Sequence, residues 1–198
     1  STSRRQRQMC IRDRVLLLKL TKWMYEKQFA ITGRLLGEGY EPEMFYAVEP
    51  SIQLYIAEKS EALRELYVSS YSYAATANYI HQMATDKLVE LFGAMHPQYT
   101  RQDFYELELA SSGMVRSFMA RKCDRNFTME QKLRRFLSCS MTIYGVTEEK
   151  QQQVIDRVLE MDLKSVADQL VADAIHQADE QYQETERKGK AIEAARNG

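Results

Sequence analysis

From Val15 onward, apolar side chains recur every three or four positions along almost the whole chain. This spacing gathers them on one face of an α-helix, whereas a half-buried strand alternates apolar and polar side chains with a period of two. No segment of the sequence shows that alternation convincingly. The pattern predicts eight helices, at residues 15–36, from residue 41, at 61–69, 75–92, 100–121 and 128–144, from residue 147, and from residue 163 to about 179. We therefore predict an all-α fold, a multi-helix bundle.

Polar residues mark the ends of these helices. Ser60 and Thr100 stand where a side-chain oxygen can accept a hydrogen bond from a free backbone N–H group, so both are predicted N-caps. Thr128 and Gln131 have the spacing of a capping box, in which each side chain bonds to the backbone N–H group of the other residue. Pro50 removes a backbone donor from the second helix and predicts a kink or a short break there.

The two ends of the chain differ from the rest in composition. Beyond Asp179 the apolar pattern fades into charged residues, which predicts a polar tail over 179–198 that frays. At the other end, residues 4–14 hold five arginines and one aspartate. Taken by itself, that segment is typical of a basic arm for nucleic acid.

Residues 4–14 also match, at eleven consecutive positions, the translation of a transposase-based sequencing adapter. We therefore interpret residues 1–14 as a non-native segment outside the fold, with the natural gene cut at about Val15. Without residues 4–14 the net charge changes from −1 to −5, because the segment contributes five positive charges and one negative charge. The helical domain then spans residues 15–178 and is mildly acidic.

Composition indicates a cytoplasmic domain. Hydrophobic residues make up 44% and charged residues 28%, the usual balance for a soluble globular protein. No apolar run approaches the length of about 18 residues that a membrane-spanning helix needs, so no membrane partner is expected. Lys19 interrupts the run at Val15 that could begin a secretory signal. The cysteines, Cys10, Cys123 and Cys139, form no CxxC pair, which is typical of reduced thiols in the cytoplasm.

Motifs for catalysis or metal binding are missing from the sequence. The three histidines are far apart, and no HExxH or ExxH spacing accompanies them. The Gly-Glu-Gly segment at 37–39 lacks the further glycines and the preceding strand of a phosphate-binding loop. Asp103, Glu106 and Glu108 crowd the start of one helix, and we interpret them as a solvated acidic face. The sequence therefore predicts no enzyme, no metal site and no cofactor.

The sequence is rich in side chains that suit a cavity, with twelve tyrosines, seven phenylalanines and ten methionines. A buried tyrosine needs a partner for its hydroxyl, and methionine fits irregular interiors, so this composition favours a partly wet cavity. Each aromatic side chain could instead pack in a solid core. We predict a cavity that accepts small hydrophobic or aromatic molecules. Its predicted ligand-binding residues are Trp23, Phe45, Tyr55, Tyr79 and Met83.

Three stretches, residues 54–67, 103–119 and 123–137, resemble the C-terminal half of TetR-family transcription regulators, and the resemblance extends over about residues 15–162. It implies a helical domain that senses a small molecule and forms a homodimer, joined to an N-terminal helix-turn-helix head that binds operator DNA. No such head precedes Val15 in this sequence, so operator binding is expected only through the missing head of the parent protein. The main alternative is a helical protein-interaction module without a ligand, and the second is an enzyme of unfamiliar type.

The resemblance also implies that two late helices pair with their copies across a two-fold axis, as a four-helix bundle. In the helix at 100–121, apolar and small residues recur at alternating steps of three and four and form one narrow seam. A second apolar stripe follows in the helix at 128–144. Each stripe could instead serve the core of its own subunit. The predicted dimer-interface residues are Phe104, Leu107, Ser111, Gly113, Met114, Phe118, Leu133, Phe136 and Leu137.

Overall fold

Eight α-helices make up the described part of this computed structural model, which comprises the backbone of residues 2–196 and the side chains of residues 14–177, 179, 180, 183 and 187. Within that part, the one β-type pairing is an isolated bridge between Asp124 and Phe127. The predicted all-α class is confirmed. None of the described helices has both the length and the apolar character needed to cross a bilayer. The helices are α1 (Thr2–Leu36), α2 (Pro42–Lys59), α3 (Glu61–Ser70), α4 (Ala74–Phe92), α5 (Arg101–Ala120), α6 (Met129–Ile143), α7 (Glu148–Glu160) and α8 (Leu163–Arg196).

The predicted capping residues stand at the helix starts and make the expected bonds. The Ser60 hydroxyl accepts a hydrogen bond from the backbone N–H of Leu63, at 3.2 Å, and opens α3. Thr128 and Gln131 form the predicted capping box of α6, with the Thr128 N–H donating to Gln131 Oε1 at 2.8 Å. Thr100 is the N-cap of α5 and belongs to a second capping box. These local signals are reliable because each bond joins residues three positions apart.

α2 is the central helix and packs against all seven other helices. Its side chains are buried around the whole circumference, and Val48, Ile52, Leu54 and Ile56 have no accessible surface. α2 continues through Pro50 without interruption, so of the predicted kink or short break the break is wrong and the kink stays a prediction. The proline costs the helix the bond that position 50 would donate to the carbonyl four residues earlier. Packing on every side of α2 outweighs that loss.

The first and last helices extend beyond their predicted ends. α1 begins at Thr2, and α8 continues to Arg196, past the predicted end near Asp179. Arginine, glutamine, glutamate, lysine and alanine are good helix formers and extend a helix even without an apolar face. Arg14, the first residue whose side chain is described, places its guanidinium 5.3 Å from the ring centroid of Tyr73. Most side chains of residues 1–14 lie outside the described part of the structure, so the adapter origin of this segment stays a prediction. The fraying of the tail also stays a prediction.

A buried ion pair connects the loop between α5 and α6 to the central helix. Lys132 has no accessible surface, and its ammonium lies 2.5 Å from Glu58 Oε1 on α2. Lys132 also donates to the carbonyl oxygen of Arg121, and both Glu58 oxygens accept from the backbone N–H of Cys123, at 3.2 and 3.1 Å. Burial opposes the ionisation of Glu58, but the bonds from Lys132 and Cys123 outweigh it and lower the pKa of this carboxyl. The pair therefore ties the loop to α2, and the Glu58 carboxyl is ionised.

Candidate ligand cavity

A cavity of about 70 Å³ lies inside the bundle, between α1, α2, α4, α5 and α6 and beside the C-cap of α3. Six aromatic rings form part of its wall, those of Tyr25, Phe29, Phe45, Tyr46, Tyr71 and Phe136. Six polar or charged side chains also line it, those of Glu49, Gln53, Lys87, Glu108, Ser111 and Ser112. Aliphatic side chains complete the lining. This combination of an apolar wall with a few polar groups is the usual character of a small-molecule site.

The size of the cavity limits what it can hold. A single buried water needs about 10–15 Å³ of such space, so a volume of about 70 Å³ corresponds to several waters or to a ligand of a few non-hydrogen atoms. Sites for drug-sized ligands measure about 300–1,000 Å³. In this conformation the cavity therefore fits a compact molecule, and a larger one requires side chains to move.

One polar cluster in the cavity is centred on Gln53 of α2. Its amide Nε2 donates to Glu49 Oε1 at 2.7 Å, and its Oε1 accepts from the hydroxyls of Tyr25 and Tyr71, at 3.3 and 3.4 Å. The two tyrosine oxygens are themselves 2.5 Å apart. Burial raises the pKa of both tyrosines, so both hydroxyls stay neutral. The cluster joins α1, α2 and the end of α3 through side chains that face one space.

Glu49 is an acid without a basic partner in this cluster. Among the described side chains, no Lys, Arg or His nitrogen lies within 4.0 Å of its carboxylate, and its one hydrogen bond comes from Gln53. Burial raises the pKa of Glu49 to about 7, although the bond from Gln53 acts in the opposite direction. The folded chain therefore keeps a protonated fraction of Glu49 at pH values where an exposed glutamate is ionised.

A second acid, Glu108 of α5, lines the same cavity. Glu108 is 2% exposed, and its Oε2 lies 2.6 Å from Nδ1 of His81 on α4. Burial raises the pKa of Glu108, and the neighbouring His81 acts in the opposite direction. The prediction of a solvated acidic face is therefore wrong for Glu108, which points inward although Glu106, on the same helix, is exposed. Side chains two positions apart on an α-helix point to nearly opposite sides, so acids that are close in sequence can have different surroundings.

Lys87 of α4 is the basic side chain of the lining. Its ammonium donates to Glu90 Oε2 at 2.7 Å, and 23% of its side chain is exposed. The same ammonium lies 4.9 Å from the ring centroid of Phe45 and 5.8 Å from that of Phe29. Both distances fall within the range of cation–π attraction. Two rings of the cavity wall therefore already face a positive charge.

The predicted ligand-binding residues only partly meet at this cavity. Phe45 lines it, whereas Trp23, Tyr55, Tyr79 and Met83 do not. Lys27 approaches the Trp23 ring and Lys22 the Tyr79 ring from outside the lining, at 5.8 and 5.1 Å, and Tyr55 borders a separate groove beside Cys123. Aromatic side chains do line the cavity, as predicted. The sequence does not show how each helix is rotated about its axis, and this rotation decides which aromatic side chains face the cavity. Trp23 fluorescence is therefore not a direct reporter of this cavity.

Several lining residues were missed by the sequence analysis, chiefly Glu49, Gln53, Tyr46 and Glu108. The first three lie on α2, where positions 46, 49, 50 and 53 all reach the cavity. These positions are separated by three, four and seven residues and therefore share one helix face. The sequence signal for this face was the stripe of polar side chains at 46, 49 and 53 in an otherwise apolar helix. Glu108 gave no such signal, since its partner His81 lies 27 positions away.

The predicted dimer-interface residues form mainly the core of the single chain. Phe104, Ser111, Leu133, Phe136 and Leu137 are each at most 8% exposed without any partner chain. The remaining apolar residues of the two stripes, Leu107, Met114 and Phe118, are partly buried against that core. The buried members of the seams therefore serve the core of their own subunit, because an inward helix face and a dimer seam have the same spacing in sequence. An intermolecular role for the partly buried members stays a prediction. Gly113 differs from the rest and is exposed.

The outward face of α5 is narrow and made of small side chains around Gly113. A Cβ atom built at Gly113 meets no atom within 4 Å. Leu109, one turn earlier, is 42% exposed, and Ala110, Ser117 and Ala120 are exposed on neighbouring turns. We call Leu109, Ala110, Gly113, Ser117 and Ala120 the outer face of α5. Another helix can approach its backbone closely there.

The described residues give no support for a metal site or for a catalytic cysteine. No group of three or more His, Cys, Asp or Glu side chains among them is placed to hold a metal ion. Burial raises the pKa of Cys123, the reverse of what an activated thiol requires. The site defined by the geometry is that of an all-helical domain with a small, partly polar cavity at its centre.

Comparison with known proteins adds no family to this description. No protein-family model, curated protein or solved structure matches the chain. A functional proposal therefore depends on the cavity, on the outer face of α5 and on the resemblance of three sequence stretches to TetR-family regulators.

Proposed function

We propose that this chain is the small-molecule-sensing and homodimerisation domain of a TetR-like transcriptional regulator. The observation that carries the proposal is the cavity, a space of about 70 Å³ between the helices that is lined by tyrosines, a glutamine and two glutamates. Burying polar groups costs free energy even where they bond to one another, as these do, so a domain selected for stability alone would fill this space with apolar side chains. A ligand that bonds to the same groups explains why they are kept in the cavity lining.

The helices around the cavity offer a route from ligand binding to the rest of a regulator. Tyr25 and Phe29 belong to α1, whereas Glu108 and Ser112 belong to α5, so a ligand in the cavity contacts both helices. In a TetR-like regulator the helix that follows the DNA-binding head and the helices that pair in the dimer must respond together. A ligand shifts such an equilibrium by as much as its affinities for the two arrangements differ.

A panel of compact amines, alcohols, acids and aromatic molecules is expected to contain a ligand that raises the melting temperature of the full chain. At one hundred times its Kd, a single-site ligand stabilises the fold by about 2.7 kcal/mol. Ala84→Phe places a large ring in the cavity lining and should abolish the shift. Tyr79→Phe, on the same helix but outside the lining, should preserve it. The measurement is thermal unfolding followed by circular dichroism.

Two outcomes of this panel would contradict a sensing function. One is that no compound shifts the melting temperature, which favours the protein-interaction module. The other is a shift of equal size in Ala84→Phe, which places the ligand elsewhere on the chain.

The homodimer is tested by substitution at Gly113, on the outer face of α5. We expect the wild-type chain to sediment as a dimer at micromolar concentration and Gly113→Leu to sediment as a monomer. A Cβ atom at position 113 meets no atom of its own subunit within 4 Å, and replacing glycine improves helix propensity by up to about 1 kcal/mol, so the monomer should not be destabilised. Gly113→Ala, with the same gain in propensity but one small methyl group, is the matched control and should weaken the dimer less.

Sedimentation of the wild type as a monomer would refute the dimer. A dimer that persists in Gly113→Leu would refute the role of the outer face of α5 and would place the dimer interface on another surface.

A further inference from the structure

We propose that the cavity recognises a compact organic cation, an aliphatic ammonium of a few non-hydrogen atoms, held between the Glu49 carboxylate and the aromatic wall. The inference rests on the proposed function, since it assigns a ligand class to the same cavity. It is carried by three features of the lining, namely its charge, its aromatic faces and its hydrogen-bond acceptors.

The charge of the lining favours a cation. Glu49 and Glu108 both reach the cavity, and among the described side chains Lys87 is the single basic one in its wall. The Lys87 ammonium is already engaged by Glu90, and His81 is engaged by Glu108. Glu49 therefore has no described counter-ion, and an ionised carboxylate in such a place is costly unless it is paired. A cationic ligand supplies the missing charge, whereas an anion would add repulsion.

The aromatic wall is suited to the same ligand. The Lys87 ammonium lies 4.9 Å from the ring centroid of Phe45 and 5.8 Å from that of Phe29, so these rings already attract a positive charge within cation–π range. Aromatic faces attract cations electrostatically, and the attraction grows when the cation is removed from water. Phe45 is 3% exposed, so its ring is a fixed part of the buried wall.

Hydrogen-bond acceptors lie beside Glu49. The oxygens of Tyr25 and Tyr71 and the Oε1 atom of Gln53 meet within 3.4 Å of one another. A primary ammonium carries three donors and can bond to the carboxylate and to two such oxygens at once. The volume of about 70 Å³ admits only a small alkyl group behind the ammonium. Isobutylammonium is therefore a suitable probe.

Binding of a cation is also expected to depend on pH. Burial raises the pKa of Glu49 to about 7, and an adjacent ammonium favours the ionised form, so affinity should increase between pH 6 and pH 8. The other titratable groups that face the cavity or pair with its acids come from α1 and α2, the end of α3, α4 and α5. They are Tyr25, Tyr46, Tyr71, His81, Lys87 and Glu108. Glu49→Gln separates the contribution of Glu49 from theirs.

The test is calorimetric titration of the full chain at pH 7.5 with three probes of similar shape, isobutylammonium, isobutanol and isobutyrate. We expect the ammonium to bind at least tenfold more tightly than the alcohol and the carboxylate not to bind. Glu49→Gln should weaken ammonium binding at least tenfold and leave alcohol binding unchanged. Glu106→Gln is the matched control, because it removes the same charge from an exposed glutamate that also accepts a bond from a glutamine four positions away.

A second variant, Phe45→Leu, keeps an apolar wall but removes a π face, and should weaken the ammonium several-fold more than the alcohol. Equal affinities for ammonium and alcohol, both lost in Ala84→Phe, would overturn the cation proposal and leave the sensing cavity intact. The absence of binding by all three probes would also overturn the cation proposal, while the broad ligand panel judges the sensing function separately.

Discussion

Replacing Glu58 with alanine is expected to lower the free energy of unfolding by about 3–5 kcal/mol, the usual cost of leaving a buried charge without its partner. Lys132 has no accessible surface, and Glu58 is the carboxylate that compensates its charge. The variant also deprives the Cys123 N–H of its acceptor and releases the loop between α5 and α6. Urea unfolding followed by circular dichroism measures the change.

Two companion variants make this result specific. Asp168→Ala removes the partner of Lys59 in an ion pair whose side chains are 31% and 47% exposed, and should cost no more than about 1 kcal/mol. Lys132→Met in the Glu58→Ala background removes the stranded charge and should restore part of the lost stability. A loss below about 1 kcal/mol in Glu58→Ala would show that Lys132 reaches water and would refute the buried pair.

Replacing Glu49 with glutamine is expected to stabilise the chain at pH 8 and to change its stability little at pH 4.5. The pKa of Glu49 is about 7 in the folded chain, against an ordinary value of 4.5. Between these values the folded state binds more protons than the unfolded state, so the free energy of unfolding falls as the pH rises. At about 1.36 kcal/mol per pKa unit, the cost above pH 7 is at most about 3–4 kcal/mol, and glutamine removes it.

Glu106→Gln again provides the control, since Glu106 is an exposed glutamate with a similar glutamine neighbour and should leave the pH profile unchanged. Burial also raises the pKa of Glu108, so Glu108 makes the free energy of unfolding fall with rising pH in every variant. The informative quantity is therefore the difference between wild type and Glu49→Gln at each pH. A difference that stays constant from pH 4.5 to pH 8 would contradict the burial of an ionisable Glu49.

The two glutamates illustrate different uses of charge on one helix. Glu58 is paired and hydrogen-bonded, and it stabilises the fold. Glu49 has no counter-ion among the described side chains and lowers stability where it is ionised. Sites that keep an unfavourable group in the interior are the usual places to look for function. This contrast is why the cavity, rather than the ion pair, carries the functional proposal.

Helix positions followed from the sequence because their signals are local. Apolar spacing and the residues Ser60, Thr100 and Thr128 act within one or two turns, and each cap makes the expected bond. The same local reasoning failed at Pro50, where burial of α2 on all sides overrides the lost backbone bond. α1 and α8 also extend beyond the residues at which the apolar pattern ends, because helix propensity without an apolar face continues them.

The cavity and the surface depended on the tertiary structure. The sequence indicated that tyrosines would surround a partly polar space, but only helix rotation placed Tyr25 and Tyr71 against Gln53 and left Trp23 and Tyr79 outside the lining. The seam through Phe104 and its neighbours was visible as a periodic stripe, yet a stripe is the same whether it faces its own core or a partner. Which of the two it faces is decided by contacts between residues distant in sequence, and those contacts are what local patterns leave open.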